Sequence, residues 1–292
     1  MKSVLIIGCG AVGASLGRAI AGSTGHRVVG VHDAVAGRTT AAGKALGVAA
    51  FPDLTLEAVS GAQLVLVAVP GPGIRKVAEA AAAAGAACDH QIWLHCDGRE
   101  PASSLGALDG MVRGIGTLHP ACAFPPGAVT PLVPGCGFAI SGDEAAVAAA
   151  ADLARDLGGF SLQVADDARD AYHAAAVMAS NCAVALLCKA RDVLSESGLT
   201  VEDAERLVVA LASSAIGASR EHGLEAALSG PIRRGDAKAV RRHVEALARS
   251  QEALEIYGTL GRAALVLARR SPGYPPEAAA EIERALEGFE KR

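Results

Sequence analysis

The most constraining feature of this sequence is a glycine-rich turn close to its start. An apolar run at residues 4–7 is followed by GCGAVG at residues 8–13, and then by residues with helical spacing. A second apolar run, at residues 28–31, leads to Asp33, which stands twenty residues after Gly13. A strand, a glycine turn, a helix, a second strand and an acidic residue in this order are typical of a βαβ unit that binds a dinucleotide.

Each glycine of the motif has a physical role in such a unit. Gly8 makes the tight turn, Gly10 lets the backbone approach the pyrophosphate, and Gly13 lets the helix pack on the sheet. The helix then offers free N–H groups to the phosphates, and Asp33 would accept hydrogen bonds from the adenosine ribose. The predicted cofactor-binding residues are Gly8, Gly10, Ala11, Val12, Gly13, Asp33, Val69 and Pro70.

Asp33 also bears on which dinucleotide is bound. Its negative charge would lie where NADP carries its 2′-phosphate, so the sequence favours NAD over NADP. Arg38, a few residues further on, could reverse the preference by pairing with that phosphate. Both dinucleotides stay open, with NAD favoured.

Composition limits the class of protein. The 292 residues suffice for about two domains, and 51% of them are hydrophobic. The net charge is −4 with no basic run, so no nucleic-acid partner is expected, and no stretch of 18 uninterrupted apolar residues predicts a membrane span. The seven cysteines form no C-x-x-C and read as small buried residues of a reducing compartment, so we expect a cytoplasmic protein.

Predicted strands alternate with predicted helices up to about residue 165, and only helical spacing follows. The sequence therefore predicts a doubly wound, mostly parallel α/β sheet followed by an all-helical domain. We place the dinucleotide-binding domain at residues 1–165 and the helical domain, for substrate binding and dimerisation, at residues 166–292.

Two further strand ends carry polar residues. Open α/β sheets bind ligands beyond the carboxyl ends of their strands, so Asp97 (in HCDG) and His119 (in GTLHP) are predicted to face the substrate. The histidines and cysteines near these strand ends lack the spacing of a zinc site, so polar or small residues lining a cleft are favoured over a metal centre.

The helical domain opens with a second polar group. Ser180 and Asn181 follow His173 by seven and eight residues, which places them within about 20° and 80° of its direction on a helix. A histidine can exchange the proton that accompanies hydride transfer, and an asparagine can hold a carbonyl or hydroxyl group. Hydrogen bonding between helices, without a catalytic role, is the alternative.

A pair of arginines is the last candidate. Arg233 and Arg234 stand on a segment bounded by glycine and proline and suit a carboxylate or phosphate. An ordinary solvated loop at residues 229–235 is the alternative.

Together, GCGAVG, HCDG, GTLHP, YHAAAVMASN and SGPIRRGD resemble one family within the 6-phosphogluconate dehydrogenase-like superfamily. In that family a Rossmann-like domain precedes a helical domain of unknown function, and its relatives include ketopantoate reductase and pyrroline-5-carboxylate reductase. The resemblance implies an NAD(P)-dependent oxidoreductase that dimerises through the helical domain.

The resemblance also bears on single residues. It implies that Asn181 matches an asparagine carried by several superfamily members, and that SGPIRRGD is a loop in contact with substrate. Val177 stands where hydroxyacid-type relatives carry a catalytic lysine, which raises the interest of His173. Asp97 stands where a serine is expected, and Asp33 where NADP-preferring relatives carry serine or arginine.

The function predicted first is hydride transfer between NAD(P) and the C=O or C=N of a small anionic metabolite. His173 would relay the proton, Asn181 would orient the substrate, and Arg233 or Arg234 would hold its anion. The rival is a nucleotide-binding sensor or scaffold without catalysis. A narrower enzymatic alternative is ketopantoate- or pyrroline-5-carboxylate-reductase activity itself.

Overall fold

A computed structural model describes residues 1–132 and 134–287 of the chain. The chain divides into two compact units, Met1–Val177 and Met178–Arg292. This division falls within a helical run, whereas the boundary predicted at residue 165 falls at the start of that run.

The first unit is built on one sheet of eight strands. They are β1 (Lys2–Ile7), β2 (His26–His32), β3 (Ala49–Ala50), β4 (Leu64–Val67), β5 (Ile92–His95), β6 (Gly114–Pro120), β7 (Gly137–Gly142) and β8 (Phe160–Gln163). Their order in the sheet is β3-β2-β1-β4-β5-β6-β7-β8. Neighbours run parallel except β6 and β7, which are antiparallel.

Helices cover this sheet on both faces. The helices of the first unit are α1 (Ala11–Ala21), α2 (Ala36–Leu46), α3 (Leu56–Ser60), α4 (Gly71–Ala83), α5 (Glu144–Asp156) and α6 (Arg169–Val177). Successive side chains of a strand point to opposite faces, so Val4 and Ile6 join one apolar cluster, and Leu5 and Ile7 join the other. Because β1 is buried on both faces, residues 4–7 form a continuous apolar run in the sequence.

This architecture confirms the predicted fold class, a doubly wound and mostly parallel sheet followed by helices. The sequence missed three short elements, namely β3, α3 and a 3-10 helix at Ala102–Leu108. Each has too few residues to show a clear hydrophobic period.

The second unit is helical. A π-helical turn at Met178–Cys182 precedes α7 (Ala183–Glu196), α8 (Val201–His222), α9 (Gly230–Arg234), α10 (Ala237–Leu247), α11 (Gln251–Arg269) and α12 (Pro276–Glu287). The prediction of a loop at residues 229–235 is wrong, because α9 occupies most of that segment. Proline at the start of α9 and Gly235 in the left-handed region after it fit a short helix.

The core of the second unit is small and lies away from α7 and α8. Ile232, Val240, Leu265, Ile282 and Leu286 form it. No described residue of α7 is buried. The helical run Asp166–Glu196, of 31 residues, is long and apolar enough to cross a membrane by length and composition alone.

The prediction that the cysteines are small buried residues is wrong for several of them. Cys122 and Cys136 are joined as a disulfide that closes the loop between β6 and β7. Cys182 and Cys188 are exposed, and Cys96 is buried. Spacing alone could not reveal the pair, because the strand pairing of β6 with β7 brings its two ends together.

Candidate active site

A cavity of about 650 Å³ opens at the carboxyl ends of β1, β2, β4 and β5. This volume falls within the range of small-molecule and cofactor sites. Of the residues predicted to bind the cofactor, those that line the cavity are Gly8, Gly10, Ala11, Val12, Asp33, Val69 and Pro70. Gly13 lies behind them, against the Gly8 carbonyl.

The glycines of the turn are required for different reasons. Gly8 has φ +99°, and a Cβ on it would lie 2.6 Å from the Ala68 carbonyl oxygen. A Cβ on Gly13 would lie 1.8 Å from the Gly8 oxygen. Gly10 has an ordinary φ of −71°, and a Cβ on it would meet nothing within 4 Å. The fold itself therefore needs Gly8 and Gly13, whereas at Gly10 glycine keeps the cavity open.

Helix α1 begins at this turn and presents its amino end to the cavity. Its N-cap, Gly10, makes no side-chain hydrogen bond, and the first turn contains no acidic residue. The N–H groups of Ala11, Val12 and Gly13 have no acceptor within the helix. A helix amino end of this kind, lined by glycine, suits a phosphate or pyrophosphate group.

Asp33 is tied to the backbone around it. Its Oδ2 accepts from the Cys9 N–H at 2.7 Å, and its Oδ1 accepts from the Val35 N–H at 2.8 Å. Thr39 donates its hydroxyl to the Asp33 carbonyl and accepts from the Asp33 N–H, both at 2.9 Å. The Asp33 side chain is 8% exposed, so it joins the glycine turn to β2 and offers little surface to a ligand.

Two cations stand at the same cavity. Arg38, in the first turn of α2, and Lys76, on α4, both line it and are exposed. Asp33 and Asp97 are the acidic side chains among the lining residues. Arg38 and Lys76 therefore give the cavity a cationic rim, which the sequence only partly indicated, through Arg38.

The strand end of β5 contributes Cys96 and Asp97. Burial, and then the Asp97 charge, raise the pKa of the Cys96 thiol to about 12, so it remains neutral. Burial raises the pKa of Asp97, but hydrogen bonds from the Arg99 and Glu100 N–H groups to its Oδ1, together with nearby positive charge, outweigh burial and lower it. The Asp97 carboxylate is therefore ionised, and its Oδ2 is not engaged by these bonds.

His119, at the end of β6, meets two residues of α6. Its Nδ1 lies 2.8 Å from the Tyr172 hydroxyl, and the two rings meet edge to face with centroids 5.7 Å apart. The His173 ring lies edge-on to His119 at 6.4 Å. The His173 Nδ1 is buried and makes no hydrogen bond within the described part of the chain.

Beneath this group lies a buried arginine. Arg169 is 2% exposed and donates to Asp166 at 2.8 Å, to Thr117 at 2.9 Å and to Ser141. Burial first, and the Arg169 charge as a smaller cause, disfavour a positive charge on His119 and lower its pKa. Arg169 thus joins the middle of β6 and the end of β7 to the start of α6.

The remaining candidates lie in the second unit. Ser180 and Asn181 stand in the π-helical turn, where the Ser180 hydroxyl donates to Asn181 Oδ1 at 2.9 Å. Arg233 and Arg234 line a cavity of about 600 Å³ together with Ser229 and Tyr274. No acidic side chain is among the lining residues of that cavity, which therefore suits an anion.

Sequence reasoning missed Tyr172, Arg169 and Lys76. Tyr172 directly precedes His173 in the YHAAAVMASN motif, but it lies about 100° away from His173 on a helix, so the helical wheel that selected His173 did not indicate it. Arg169 lies one helical turn before Tyr172, on the same face. Lys76 had no sequence signal, because its place at the cavity depends on how α4 packs after β4.

Two family models match the sequence. One describes a Rossmann-like domain and matches residues 1–120, and the other describes a domain of unknown function, DUF2520, and matches residues 136–264. No curated protein matches the sequence significantly.

Solved structures share the fold along nearly the whole chain. A candidate NADP oxidoreductase of Bacteroides fragilis superimposes with a TM-score of 0.69 at 19% identity, covering 91% of this chain and 98% of its own. The pyrroline carboxylate reductase of Plasmodium falciparum, solved with NADP bound, gives 0.62 at 12% identity, covering 97% and 98%. An imine reductase from a Pseudomonas species gives 0.59 at 18% identity, covering 98% and 99%.

These matches confirm the domain pair that the motifs resemble. At such identities the structural likeness establishes the fold. The amino-terminal part of the chain is similar to the Rossmann-like model and the carboxyl-terminal part to the DUF2520 model, on a fold shared with these reductases.

Proposed function

We propose that this protein is a nicotinamide-dependent oxidoreductase that moves hydride to or from the C=O or C=N of a small anionic metabolite. The observation that carries the proposal is Gly10. Its backbone conformation is open to any residue and the space beside it is empty, so only a ligand in the cavity requires glycine there. A pyrophosphate at the amino end of α1 meets that requirement.

The residues present fit a dinucleotide. The glycine turn and the amino end of α1 hold its pyrophosphate, and the turn after β2 holds its adenosine ribose. Val69, Pro70 and the neutral thiol of Cys96 form an apolar wall towards the other end of the cavity. When bound, the dinucleotide supplies or accepts the hydride.

NADP is the preferred dinucleotide in this proposal. The sequence argument for NAD placed the Asp33 charge where the 2′-phosphate would lie, but both oxygens of that carboxylate accept from backbone N–H groups. Arg38 and Lys76 bring two positive charges to the same cavity. A 2′-phosphate would pair with these cations, and the two N–H donors on Asp33 reduce its repulsion.

A C=N or C=O group and an anionic group define the substrate class. The fold is shared with a pyrroline carboxylate reductase and an imine reductase, whose names describe reduction of a C=N group. Arg233 and Arg234 line a cavity suited to a carboxylate or phosphate. Asn181 is assigned to orient the reacting group, with Ser180 as its hydrogen-bonding neighbour.

The active form is a homodimer joined through the second unit. Val184, Leu211 and Ile216, on α7 and α8, are 61%, 61% and 58% exposed. These two helices bury almost no side chains within their own chain. Their exposed apolar side chains would be buried if the same surface of a second chain packed against them. The same apolar character underlies the length and hydropathy of the run Asp166–Glu196.

The test is a binding measurement followed by a substrate screen. Titration calorimetry should detect NADPH binding by the wild-type protein, and Gly10→Val should abolish it without unfolding the chain. Keto acids, cyclic imines and hydroxy acids should then be screened with both cofactors by the absorbance of the reduced nicotinamide. Cofactor binding without turnover of any substrate would favour the sensor, and unchanged affinity in a folded Gly10→Val protein would contradict the proposal.

A further inference from the structure

The pairing of His119 with Tyr172 joins a strand end to a helix 53 residues further along the chain. The Nδ1–hydroxyl distance is 2.8 Å, and the rings are inclined by 88°. This geometry fixes the plane of the imidazole and engages one of its two nitrogens. The direction in which the other nitrogen points is therefore set by the fold.

That other nitrogen, Nε2, lies over Gly98. A Cβ on Gly98 would stand 3.0 Å from both Nε2 and Cε1 of His119. Gly98 follows Asp97 and Cys96, and both of these line the cofactor cavity. Within residues 1–132 and 134–287, nothing hydrogen bonds to His119 Nε2, which lies beside Gly98, next in the chain to the lining residue Asp97.

The surroundings keep the His119 imidazole neutral. Burial is the largest cause that lowers the pKa of His119 to about 4, interactions with neighbouring side chains such as Arg169 add to it, and the Asp97 carboxylate opposes this only in part. A neutral imidazole has one N–H group and one acceptor nitrogen. With the Tyr172 phenol donating to Nδ1, the single N–H group is at Nε2, on the side of Gly98.

We propose that His119 is the catalytic proton donor of this site and that Tyr172 is its positioning residue, which holds the Nε2–H tautomer and replenishes the proton. This inference rests on the proposed function. It replaces His173 as the residue that contacts the reacting group, because Nε2 of His119 is the free nitrogen beside Gly98. His173 then serves as the ring that packs against His119.

The step balances as follows for reduction of a C=O or C=N group by a reduced nicotinamide dinucleotide. Hydride bonds to the substrate carbon, and the π electron pair moves to the oxygen or nitrogen. That atom takes the proton from Nε2 of His119, while Nδ1 takes the phenol proton of Tyr172. Solvent then returns a proton to Nε2 while Nδ1 gives its proton back to the half-buried tyrosinate, which restores the Nε2–H tautomer. A neutral histidine that donates to developing negative charge needs no proton from bulk solvent at the moment of transfer.

The first test uses the protein without ligand. In ¹⁵N-histidine-labelled protein, NMR at neutral pH should show His119 neutral and protonated on Nε2, with its signals assigned by their loss in His119→Gln. Tyr172→Phe should convert it to a mixture of tautomers. Tyr257→Phe is the matched control, because Tyr257 holds His243 by a similar bond of 2.9 Å and should leave His119 unchanged. A wild-type His119 that is charged, or protonated mainly on Nδ1, overturns the inference.

The second test adds NADPH. Binding should shift the His119 signals, and Tyr172→Phe should bind NADPH as tightly as the wild-type protein. With any substrate found by screening, Tyr172→Phe and Gly98→Ala should lower kcat by about 100-fold with little change in KM. Gly98→Ala removes no polar group and displaces the His119 ring. If NADPH binds without shifting the His119 signals, this inference is overturned and the proposed function is not. If NADPH does not bind, the proposed function is overturned. In that case the tautomer measurement still tests whether Tyr172 holds His119 in the Nε2–H form.

Discussion

Gly13 approaches the carbonyl of Gly8 so closely that a Cβ on Gly13 would stand 1.8 Å from that oxygen. The helix that follows the turn can therefore pack on the sheet only if residue 13 has no side chain. Gly10, between them, is under no such restriction from the protein. The two kinds of glycine can be separated by experiment.

Gly13→Ala should lower the free energy of unfolding by about 3 kcal/mol, because overpacking forces the turn and helix apart. Gly10→Val should cost only about 1 kcal/mol, because valine is a poorer N-cap than glycine, and should weaken dinucleotide binding by about 100-fold or more. Chemical denaturation and titration calorimetry measure the two effects. Gly61→Ala, where a Cβ also meets nothing, is the control for both. A large loss of stability in Gly10→Val would show that the fold, and not a ligand, requires that glycine.

The cationic rim of the cavity predicts the cofactor preference. Arg38→Ala and Lys76→Ala should each weaken NADPH binding by about tenfold and leave NADH binding nearly unchanged, because NADH lacks the 2′-phosphate. Lys44→Ala is the control, since Lys44 lies at the other end of α2 and away from the cavity. If the wild-type protein binds NADH more tightly than NADPH, and Arg38→Ala leaves the ratio of the two dissociation constants unchanged, the preference for NAD inferred from Asp33 would be correct.

His119 predicts a pH dependence of stability. Its pKa is lowered from 6.5 to about 4 in the folded chain, so between these values the unfolded chain binds more protons. Stability due to this group is complete above pH 6.5 and is lost as the pH falls towards about 4, by up to about 3 kcal/mol. Chemical denaturation across this pH range should show that the free energy of unfolding depends less steeply on pH in His119→Gln than in the wild-type protein. The same pH dependence in both proteins would show that the pKa of His119 is not lowered by folding.

The second unit predicts a dimer in solution. Ile216→Asp should shift the molar mass measured by light scattering from two chains towards one, because a charge would then lie in an apolar interface. Leu56→Asp is the control, since Leu56 is 50% exposed on α3 of the first unit. A wild-type chain that is monomeric at micromolar concentration, or that needs detergent to stay in solution, would exclude the homodimer.

Arg169 is buried and Arg155 is exposed, so replacing each of them should lower the free energy of unfolding by a different amount. Arg169→Met should cost about 2–3 kcal/mol, because it leaves Thr117 and Ser141 without their buried donor. Arg155→Met should cost less than about 1 kcal/mol, because Arg155 is 75% exposed in its ion pair with Asp152. Thermal denaturation of the two variants makes the comparison. Equal costs would show that the buried guanidinium contributes little.

Local sequence determined much of this fold. The glycine turn, the apolar runs of the strands and the caps of two helices could be read from neighbouring residues. Thr200 accepts from the Asp203 N–H at 3.1 Å, and Asp236 accepts from the Ala239 N–H at 3.0 Å, as their positions before α8 and α10 predict. These features depend on contacts a few residues apart, so spacing and residue type were sufficient.

Tertiary structure decided the site. The carboxylate of Asp33 is used by the backbone of the glycine turn 24 residues earlier, which no local pattern could reveal. His119 meets Tyr172 because β6 ends beside the start of α6, and Cys122 meets Cys136 because β7 returns antiparallel beside β6. Spacing indicated which residues could do chemistry, but only the packing of strands and helices determined which polar atoms are already satisfied and which remain free for a ligand.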